Sequence, residues 1–472
     1  EATVLGVLEQ VAQQGVSHER LEAVLHQLEL HQREVSGDSY PYGLSLILQG
    51  LGCATHYSDP IAVLNLDPVI AALRTRIEDP DYIRRLARDL LLNNPHRVTL
   101  VMRPDVELSE RRTAAEAARL ATIKADLDEA GRQAVIQLAG DLAARQQQAD
   151  DASILPKVEL SDVPASLPEL AFTSSNKAGI AVTTYSQGTN GIVYQQAISQ
   201  LPRLSREQLH ILPLYTSILS ELGLNKDDYL AAQHRQSATV GSINGFSSMR
   251  GAVQDEQTVA GYFVLSSKAL QRNAREQARL MHDTLHGVRF DETTRIRELI
   301  SQQRARREQS ITGNGHGLAM AAASAGMSPL AQLNHELSGL AGIRGLRALD
   351  DSLRDKQTLQ EFAGGLLALH NSVASMPRQL LVVAEGHKVE NVAALAGELW
   401  SADQLPSSGE EFALPPVRER RRELWLTNTQ VNFCARAYPT VPAQHPDAAA
   451  LTVLGGFLRN GFLHRAIREQ GG

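Results

Sequence analysis

The sequence predicts an α+β protein built from several domains. Residues 170–401 mix strand-like segments with amphipathic helical segments, which is typical of an α+β unit. Residues 108–147 are rich in Ala, Arg, Glu and Gln and show no strand pattern, and proline-containing stretches at 148–170 and 402–423 separate the units. The chain has 472 residues, and domains commonly hold roughly 100–200, so we expect two to four domains.

Composition excludes several classes of protein. Hydrophobic residues make up 43% of the chain but aromatic residues only 4%, so aliphatic side chains must fill the core. The net charge is −7 with both signs interspersed, which argues against nucleic-acid binding, because such proteins concentrate positive charge on one face. No apolar run approaches the length of a transmembrane helix, so we expect no membrane partner. Cys53 and Cys434 are too far apart in sequence to indicate a disulfide framework or a cysteine zinc site.

Residues 1–107 are predicted to be mainly helical. Apolar residues recur at helical spacing in four segments, at 2–14, 18–34, 61–76 and 79–92. Gly15 separates the first two segments, and Ser17 is a candidate N-cap for the second. The run Val-Thr-Leu-Val-Met at 98–102, which Pro104 closes, predicts a short strand.

Residues 108–150 are predicted to form a long helical hairpin. Gly131 and the acidic stretch 126–129 divide the segment into two helices. The same composition also fits two solvated helices with no fixed partner, and the residues alone do not decide between these interpretations. Prolines and weak periodicity then predict a linker at 151–169.

A second α+β unit is predicted over residues 170–401. Strands are expected at 180–186, 191–199, 237–248, 258–266 and 379–384. Helices are expected at 205–222, 226–234, 272–286, 291–309, onward to about 373, and at 388–400.

The last part of the chain is predicted to be a linker followed by an incomplete domain. Residues 402–423 contain prolines and a basic run at 418–422, which we interpret as a solvated turn. A strand is expected at 424–437 and a helix at 445–468, and these two elements cannot enclose a core by themselves. Because the chain begins and stops directly at helical patterns, we expect both ends to be cuts.

The histidines do not form a recognised zinc motif. His26 and His31 lie five residues apart, which on a helix separates them by about 140° and prevents a shared metal. His282 and His286 have the i, i+4 spacing of H-E-x-x-H zinc sites, with Asp283 where that motif has glutamate. The pair His335-Glu336 has the first half of the motif and no second histidine. We therefore expect no metal site and no catalytic residue in this chain.

The loop at 313–317 is not a convincing nucleotide site either. Its sequence Gly-Asn-Gly-His-Gly resembles a dinucleotide-binding loop, but Leu318 stands at the third glycine place and no predicted strand leads into it. It is interpreted as a helix-breaking loop. The sequence also lacks a Walker A motif and a G-x-S-x-G elbow.

Several segments nevertheless resemble one family in order along the chain. The helix at 19–29, the strand and turn at 99–105 and the segment 189–194 are similar to successive parts of presequence proteases, which belong to the pitrilysin and insulinase group of inverzincins. The sequence at 462–472, Phe-Leu-His-Arg-Ala-Ile-Arg-Glu-Gln-Gly-Gly, resembles a helix and glycine turn of their fourth domain.

The resemblance implies a fold and a domain map. It implies repeated pitrilysin-type domains, each a mixed β-sheet flanked by helices, linked by the long helical hairpin. On this map residues 1–107 are the remainder of the second domain, 170–401 the third domain, and 424–472 the start of a truncated fourth.

The resemblance also implies a function. The family consists of zinc metalloendopeptidases that degrade short unstructured peptides in a closed chamber, and its zinc motif, H-x-x-E-H, does not occur here. We therefore expect zinc in the intact enzyme, none in this chain, and the N-terminal half of the same protein as a partner. By this resemblance Arg468 is a substrate-binding residue, although the tyrosine that follows it in the family pattern lies past Gly472.

Two matters stay open at this point. The compartment is expected to be cytoplasmic for a bacterial protein and mitochondrial or plastid for a eukaryotic one. The alternative function is a non-catalytic partner subunit or peptide-binding module of the same fold.

Overall fold

The computed structural model describes residues 2–35, 40–148, 151–386, 388–401, 410–429 and 431–469, with backbone alone at 152, 468 and 469. In those residues no helix combines the length and the apolar character needed to cross a bilayer. The chain divides into two compact units, residues Glu1–Gln14 with Arg84–Glu169 and residues Gly15–Ile83 with Leu170–Gly472.

The elements are numbered in chain order. The helices are α1 (Ala2–Gln14), α2 (His18–Arg33), α3 (Tyr42–Thr55), α4 (Asp67–Ile77), α5 (Tyr82–Leu86), α6 (Leu108–Asp126), α7 (Glu129–Gln147), α8 (Arg206–Ile218), α9 (Tyr229–Thr239), α10 (Ala274–His286), α11 (Thr293–Gly313), α12 (Gly315–Ser324), α13 (Pro329–Leu337), α14 (Leu340–Ser352), α15 (Lys356–Ala374), α16 (Lys388–Trp400) and α17 (Ala448–Leu458). The strands are β1 (Thr173–Lys177), β2 (Ile180–Ser186), β3 (Ile192–Gln200), β4 (Ser242–Gly251), β5 (Val259–Leu270) and β6 (Arg378–Ala384).

In the first unit α1 packs against a π-helix at Ala87–Leu92, a wider helix that continues α5. Ala12 and Ala87 are buried at this contact, and small side chains allow the two helices to approach closely. Arg88 donates to the carbonyl oxygen of Ala12 (3.3 Å), and Arg84 donates to that of Gln14 (3.1 Å). These bonds satisfy carbonyl groups that the end of α1 leaves without helical partners.

The two helices predicted within 108–147 are confirmed. Asp128 caps α7 by accepting a hydrogen bond from the backbone N–H of Gly131 at 2.7 Å. Neither α6 nor α7 buries a side chain within its unit. The exposed faces carry apolar residues such as Leu120, Ile136 and Leu138, and the antiparallel pairing of the two helices stays a prediction.

The strand predicted at 98–102 is wrong. These residues form no ladder, and the side chains of Val98, Leu100 and Met102 are 79–90% exposed. The segment has the β-branched and apolar composition of a strand, but a strand also needs a neighbour to satisfy its backbone groups. Within the described part of this unit no strand lies beside the segment.

The second unit is organised by one six-stranded mixed sheet of order β1-β2-β6-β3-β5-β4. Only β2 and β6 are parallel, and the other neighbours are antiparallel. The register aligns Val182, Leu380, Ala197, Leu265 and Gly245 in one row across five strands. The predicted α+β class, with a mixed sheet flanked by helices, is confirmed.

Helices cover the face of the sheet to which this row belongs. Gln195 donates from this face to the side-chain oxygen of Gln277 on α10 (2.8 Å), and α16 packs beside α10. A Cβ on Gly245 would lie 3.0 Å from the carbonyl oxygen of Thr216, so α8 crosses close above β4. On the opposite face Tyr194 and Gln196 stay half exposed, whereas Ile192 and Leu270 are buried against Leu30 of α2.

A buried polar pair lies inside this core. The hydroxyl of Tyr215 lies 3.0 Å from Nδ1 of His370, and both side chains are buried beside Phe290. Burial, reinforced by the nearby His286, lowers the pKa of His370 to about 4, so its ring is neutral at physiological pH. The pair therefore satisfies two polar groups that would otherwise be unpaired in the interior.

Helix α2 is attached to one end of the sheet through a buried carboxylate. Glu29 is 4% exposed and accepts both forked bonds of Arg272, which follows β5, at 2.7 and 3.0 Å. Arg74 of α4 and Arg33 of α2 also donate to it, at 2.8 and 3.1 Å. Arg272 most strongly, against the opposing effect of burial, lowers the pKa of Glu29 to about 2. Lys268 and Glu34 add a second bridge at 2.5 Å.

Most predicted elements of this unit are confirmed, and four corrections apply. Helix α3 and strand β1 were not predicted. The expected strand at 237–248 is divided, since α9 continues to Thr239 before β4 begins at Ser242.

The strand predicted at 424–437 is wrong in the described residues 424–429 and 431–437, which run without a ladder. Its aromatic side chains pack on helices instead, and Phe433 lies so close to Gly315 that a Cβ there would clash. The predicted helix at 445–468 is confirmed as α17 and a wider helix at Arg459–Glu469.

Glu29→Gln should lower the free energy of unfolding of the second unit by about 2 kcal/mol at neutral pH, a value discounted because the arginines are partly exposed. Because the folded pKa of Glu29 lies below its unfolded value, the contribution is present above about pH 4.5 and is lost as pH falls toward about 2. Urea unfolding of both proteins at several pH values measures the difference.

The exposed pair Glu276 and Arg279 provides the control. Glu276→Gln should change stability by less than about 0.5 kcal/mol at every pH. A stability difference for Glu29→Gln that stays constant down to pH 3 would contradict the assignment.

Two glycine substitutions should have opposite signs. A Cβ on Gly397 of α16 would lie 2.5 Å from Cβ of Lys177 on β1, so Gly397→Ala should cost about 1–3 kcal/mol. A Cβ on Gly364 of α15 meets nothing within 4 Å, so Gly364→Ala should stabilise the protein by up to about 1 kcal/mol. Thermal unfolding compares them, and a Gly397→Ala variant at least as stable as the unchanged protein would refute the close packing of α16 on β1.

Candidate functional site

Arg468, the substrate-binding residue implied by the resemblance, is not tested by the geometry. Its backbone lies in the wide helix Arg459–Glu469, and its side chain lies outside the described part of the chain. Its role stays a prediction.

His282 and His286 lie together on α10 but belong to an aromatic cluster. Their ring centroids are 4.3 Å apart, and both rings pack on the buried indole of Trp400, at 5.2 and 6.3 Å. Asp283 is paired with Arg235 at 2.5 Å. Structural zinc needs four ligands and catalytic zinc three. Over the described ranges, no group of three or more His, Cys, Asp and Glu side chains is placed to hold a metal.

His26 and His31 point to different surroundings. His26 is 6% exposed, and burial followed by the charge of Arg272 lowers its pKa. His31 is exposed on the other side of α2. His26 therefore belongs to the surroundings of the Glu29 network.

His335 and Glu336, in contrast, line a cavity of about 790 Å³ in the second unit. Its walls come from α8, α11, α13, α14 and the segment 421–425. Ser328 caps α13 by accepting from the N–H of Ala331 at 3.2 Å, and Pro329 occupies its first turn. A Cβ on Gly342 would clash with the backbone of Leu337, so α14 must start tightly against the end of α13. This close turn places His335 and Glu336 beside α14.

The two carboxylates of the cavity are each accompanied by basic groups. Glu336 lies 3.4 Å from Nε2 of His210 and 3.5 Å from Arg206. Glu423 lies 3.4 Å from Nε2 of His335 and 4.0 Å from Arg421. Nδ1 of His335 is buried without a hydrogen-bond partner among the described residues.

Two arginines of the cavity differ from these. Arg307 of α11 donates to the carbonyl oxygen of Leu337 at 2.5 Å, and burial lowers its pKa. The guanidinium of Arg344 lies over the ring of Trp425, 4.7 Å from its centroid. Among the residues with described side chains, no carboxylate lies within 4.0 Å of either guanidinium.

The cavity therefore carries excess positive charge. Four arginines and two glutamates line it, so two positive charges are left over when both histidines are neutral. Arg307, Arg344 and Trp425 were not singled out from the sequence. They belong to three separate segments, and no motif joins them, so only the packing of α11 against α14 could reveal them.

Comparison with known proteins relates the chain to the M16 peptidases and to presequence proteases. The sequence profile of the region associated with subfamily C of the M16 peptidases matches residues 102–349, more than half of the chain. The mitochondrial presequence protease of Xenopus tropicalis is 25% identical over 502 residues, covering 100% of this chain and 48% of the relative. Presequence protease 1, chloroplastic/mitochondrial, of Arabidopsis thaliana is 26% identical over 488 residues, covering 100% and 44%.

A solved structure also matches at a low level. The peptidase M16 inactive domain from Pseudomonas fluorescens is 16% identical with a TM-score of 0.35, covering 53% of this chain and 54% of that one. This likeness is too weak to support any argument about the fold.

Two facts follow from the sequence matches. The chain spans about half the length of the presequence proteases that it matches. Since the profile covers more than half of its residues, the chain belongs to the family associated with subfamily C of the M16 peptidases, with presequence proteases as relatives along its whole length.

Proposed function

We propose that this chain is the C-terminal portion of a zinc-dependent metalloendopeptidase that degrades short unstructured peptides in a closed chamber. The observation that carries the proposal is the match of the whole chain to presequence proteases about twice its length. In this proposal the N-terminal half of the same protein supplies the zinc motif.

Among the residues that the structure describes, no set of side chains fits zinc. The H-x-x-E-H motif does not occur in the sequence, and the described residues form no group that could hold a metal. His282 and His286 offer two nitrogens on an aromatic cluster, which is too few for a zinc site. The role that we propose for this chain is therefore to bind and enclose the peptide.

The sheet of the second unit supports such a role. One face is covered by helices, and the other presents half-exposed side chains such as Thr183, Tyr194 and Gln196. Alternating polar side chains on an exposed sheet face can contact an extended peptide without demanding one sequence.

Arg468 is the residue that we propose for contact with the substrate near the reacting bond. A guanidinium has a fixed fork of donors, which suits a peptide carbonyl and the negative charge that develops on its oxygen during hydrolysis.

A non-catalytic partner subunit of the same fold is the second candidate. The 472 residues lack the zinc motif, which fits a non-catalytic subunit as well as it fits the C-terminal portion of an enzyme. The two functions therefore have to be separated by experiment.

The purified chain alone should bind no stoichiometric zinc and should not cleave a fluorogenic unstructured peptide when zinc is added. Mixing with the N-terminal half should restore cleavage that a chelator abolishes, because the zinc ligands and this portion then meet in one chamber. Elemental analysis by mass spectrometry and initial rates measure both.

Each outcome separates the candidates. A mixture that binds peptide but never cleaves it would favour the non-catalytic subunit. One zinc per chain with chelator-sensitive turnover by this chain alone would contradict the proposal, and His282→Ala and His286→Ala would then be tested first.

In the reconstituted mixture, Arg468→Gln should lower kcat/KM by about a hundredfold, since a donor to the developing oxyanion is removed. Arg465→Gln removes the same charge three residues away and is the matched control, expected to retain activity. Equal losses in the two variants would show that net charge, and not a contact by Arg468, matters.

A further inference from the structure

The cavity beside α13 holds a cation whose charge is not neutralised. Arg307 is half-buried and, among the described side chains, has no carboxylate within 4.0 Å. Removing a charged group from water is costly unless a counter-charge replaces the lost hydration. An anion that entered the cavity would supply that counter-charge.

The remaining walls determine what kind of anion fits. Ile211, Leu214, Leu346 and Leu349 line the cavity together with the indole of Trp425. An occupant that is apolar along its length and anionic at one end would match both the walls and Arg307. The volume, about 790 Å³, lies within the range of pockets that enclose molecules of a few hundred daltons.

The apolar walls favour a ligand with a single charged end. Glu336 and Glu423 line the cavity as well, but each lies near its own basic groups, so Arg307 and Arg344 are the cations left for a ligand. A single carboxylate accepts two parallel hydrogen bonds from a guanidinium, which Arg307 or Arg344 can donate.

We propose that this cavity binds the free C-terminal carboxylate of a short peptide whose last side chain is apolar. In this arrangement the carboxylate contacts Arg307, and the apolar side chain packs against α8 and α14. Arg344 and Trp425 form another part of the wall. The choice of a peptide as the ligand rests on the proposed function, whereas the preference for an apolar monoanion rests on the cavity.

Isothermal titration of the full 472-residue chain with acetyl-Ala-Ala-Phe tests the proposal. The peptide with a free carboxylate should bind at least about tenfold more tightly than the same peptide with a C-terminal amide, because charge-assisted bonds to Arg307 are lost. Inorganic phosphate should compete only weakly.

Variants locate the site. Arg307→Gln should reduce binding of the free acid to the level of the amide and leave amide binding unchanged. Arg306→Gln, the neighbouring residue of the same helix and not part of the cavity wall, removes the same charge and should change neither. Should Arg307→Gln unfold because its bond to Leu337 is lost, Arg344→Gln carries the test, with an expected loss of at least about threefold for the acid.

Several results would overturn the proposal. These are equal affinity for acid and amide, no binding up to the solubility limit of the peptide, equal effects of Arg306→Gln and Arg307→Gln, or competition by phosphate as strong as that by the peptide acid. The titration needs neither zinc nor turnover, so a failure of reconstituted peptidase activity and a failure of carboxylate binding are separate results.

Discussion

A buried carboxylate, Glu29, joins helix α2 to the sheet of the second unit. Glu29 joins three guanidiniums that come from α2, from α4 and from the end of β5, so residues 15–83 and the sheet share one electrostatic centre. Removing Glu29 would deprive three guanidiniums of their shared counter-charge, whereas removing one arginine would leave the buried carboxylate with fewer donors. This requirement explains why α2 lies where it does, with Leu30 packed against Ile192 and Leu270 at the same end of the sheet.

Compensation of buried charge also distinguishes the cavity beside α13, because there a charged group lacks an oppositely charged partner. At Glu29 three cations surround one anion, and every charge has a partner. At Arg307 the guanidinium has a carbonyl oxygen and no carboxylate among the described residues. A folded protein tolerates such an uncompensated group where function offsets the cost, which is why this cavity, rather than the histidine pair on α10, is the better target for experiment.

Local patterns predicted most of the second unit, because its strands and helices agree with their own periodicity. Strand β2 and helix α16 match their predicted bounds, and their apolar residues face the core. Prediction failed where a partner decides the outcome: the apolar runs at 98–102 and 424–437 have strand character but no ladder. The polar strand β1 is the reverse case, since pairing with β2 makes a strand from Thr-Ser-Ser-Asn-Lys. The cavity was unpredictable for the same reason, because its arginines meet only after α11 and α14 have packed.

The position of β6 in the sheet has a consequence for synthesis on the ribosome. This strand lies between β2 and β3, yet it follows β3 by almost 180 residues in the chain. At the usual elongation rates of about 5–20 residues per second, the nascent polypeptide exposes the unpaired edges of both strands for on the order of ten to forty seconds. Unsatisfied edges of this kind invite pairing with other chains. Newly made protein should therefore need chaperone protection until residue 384 has left the exit tunnel, and truncations before that point should aggregate.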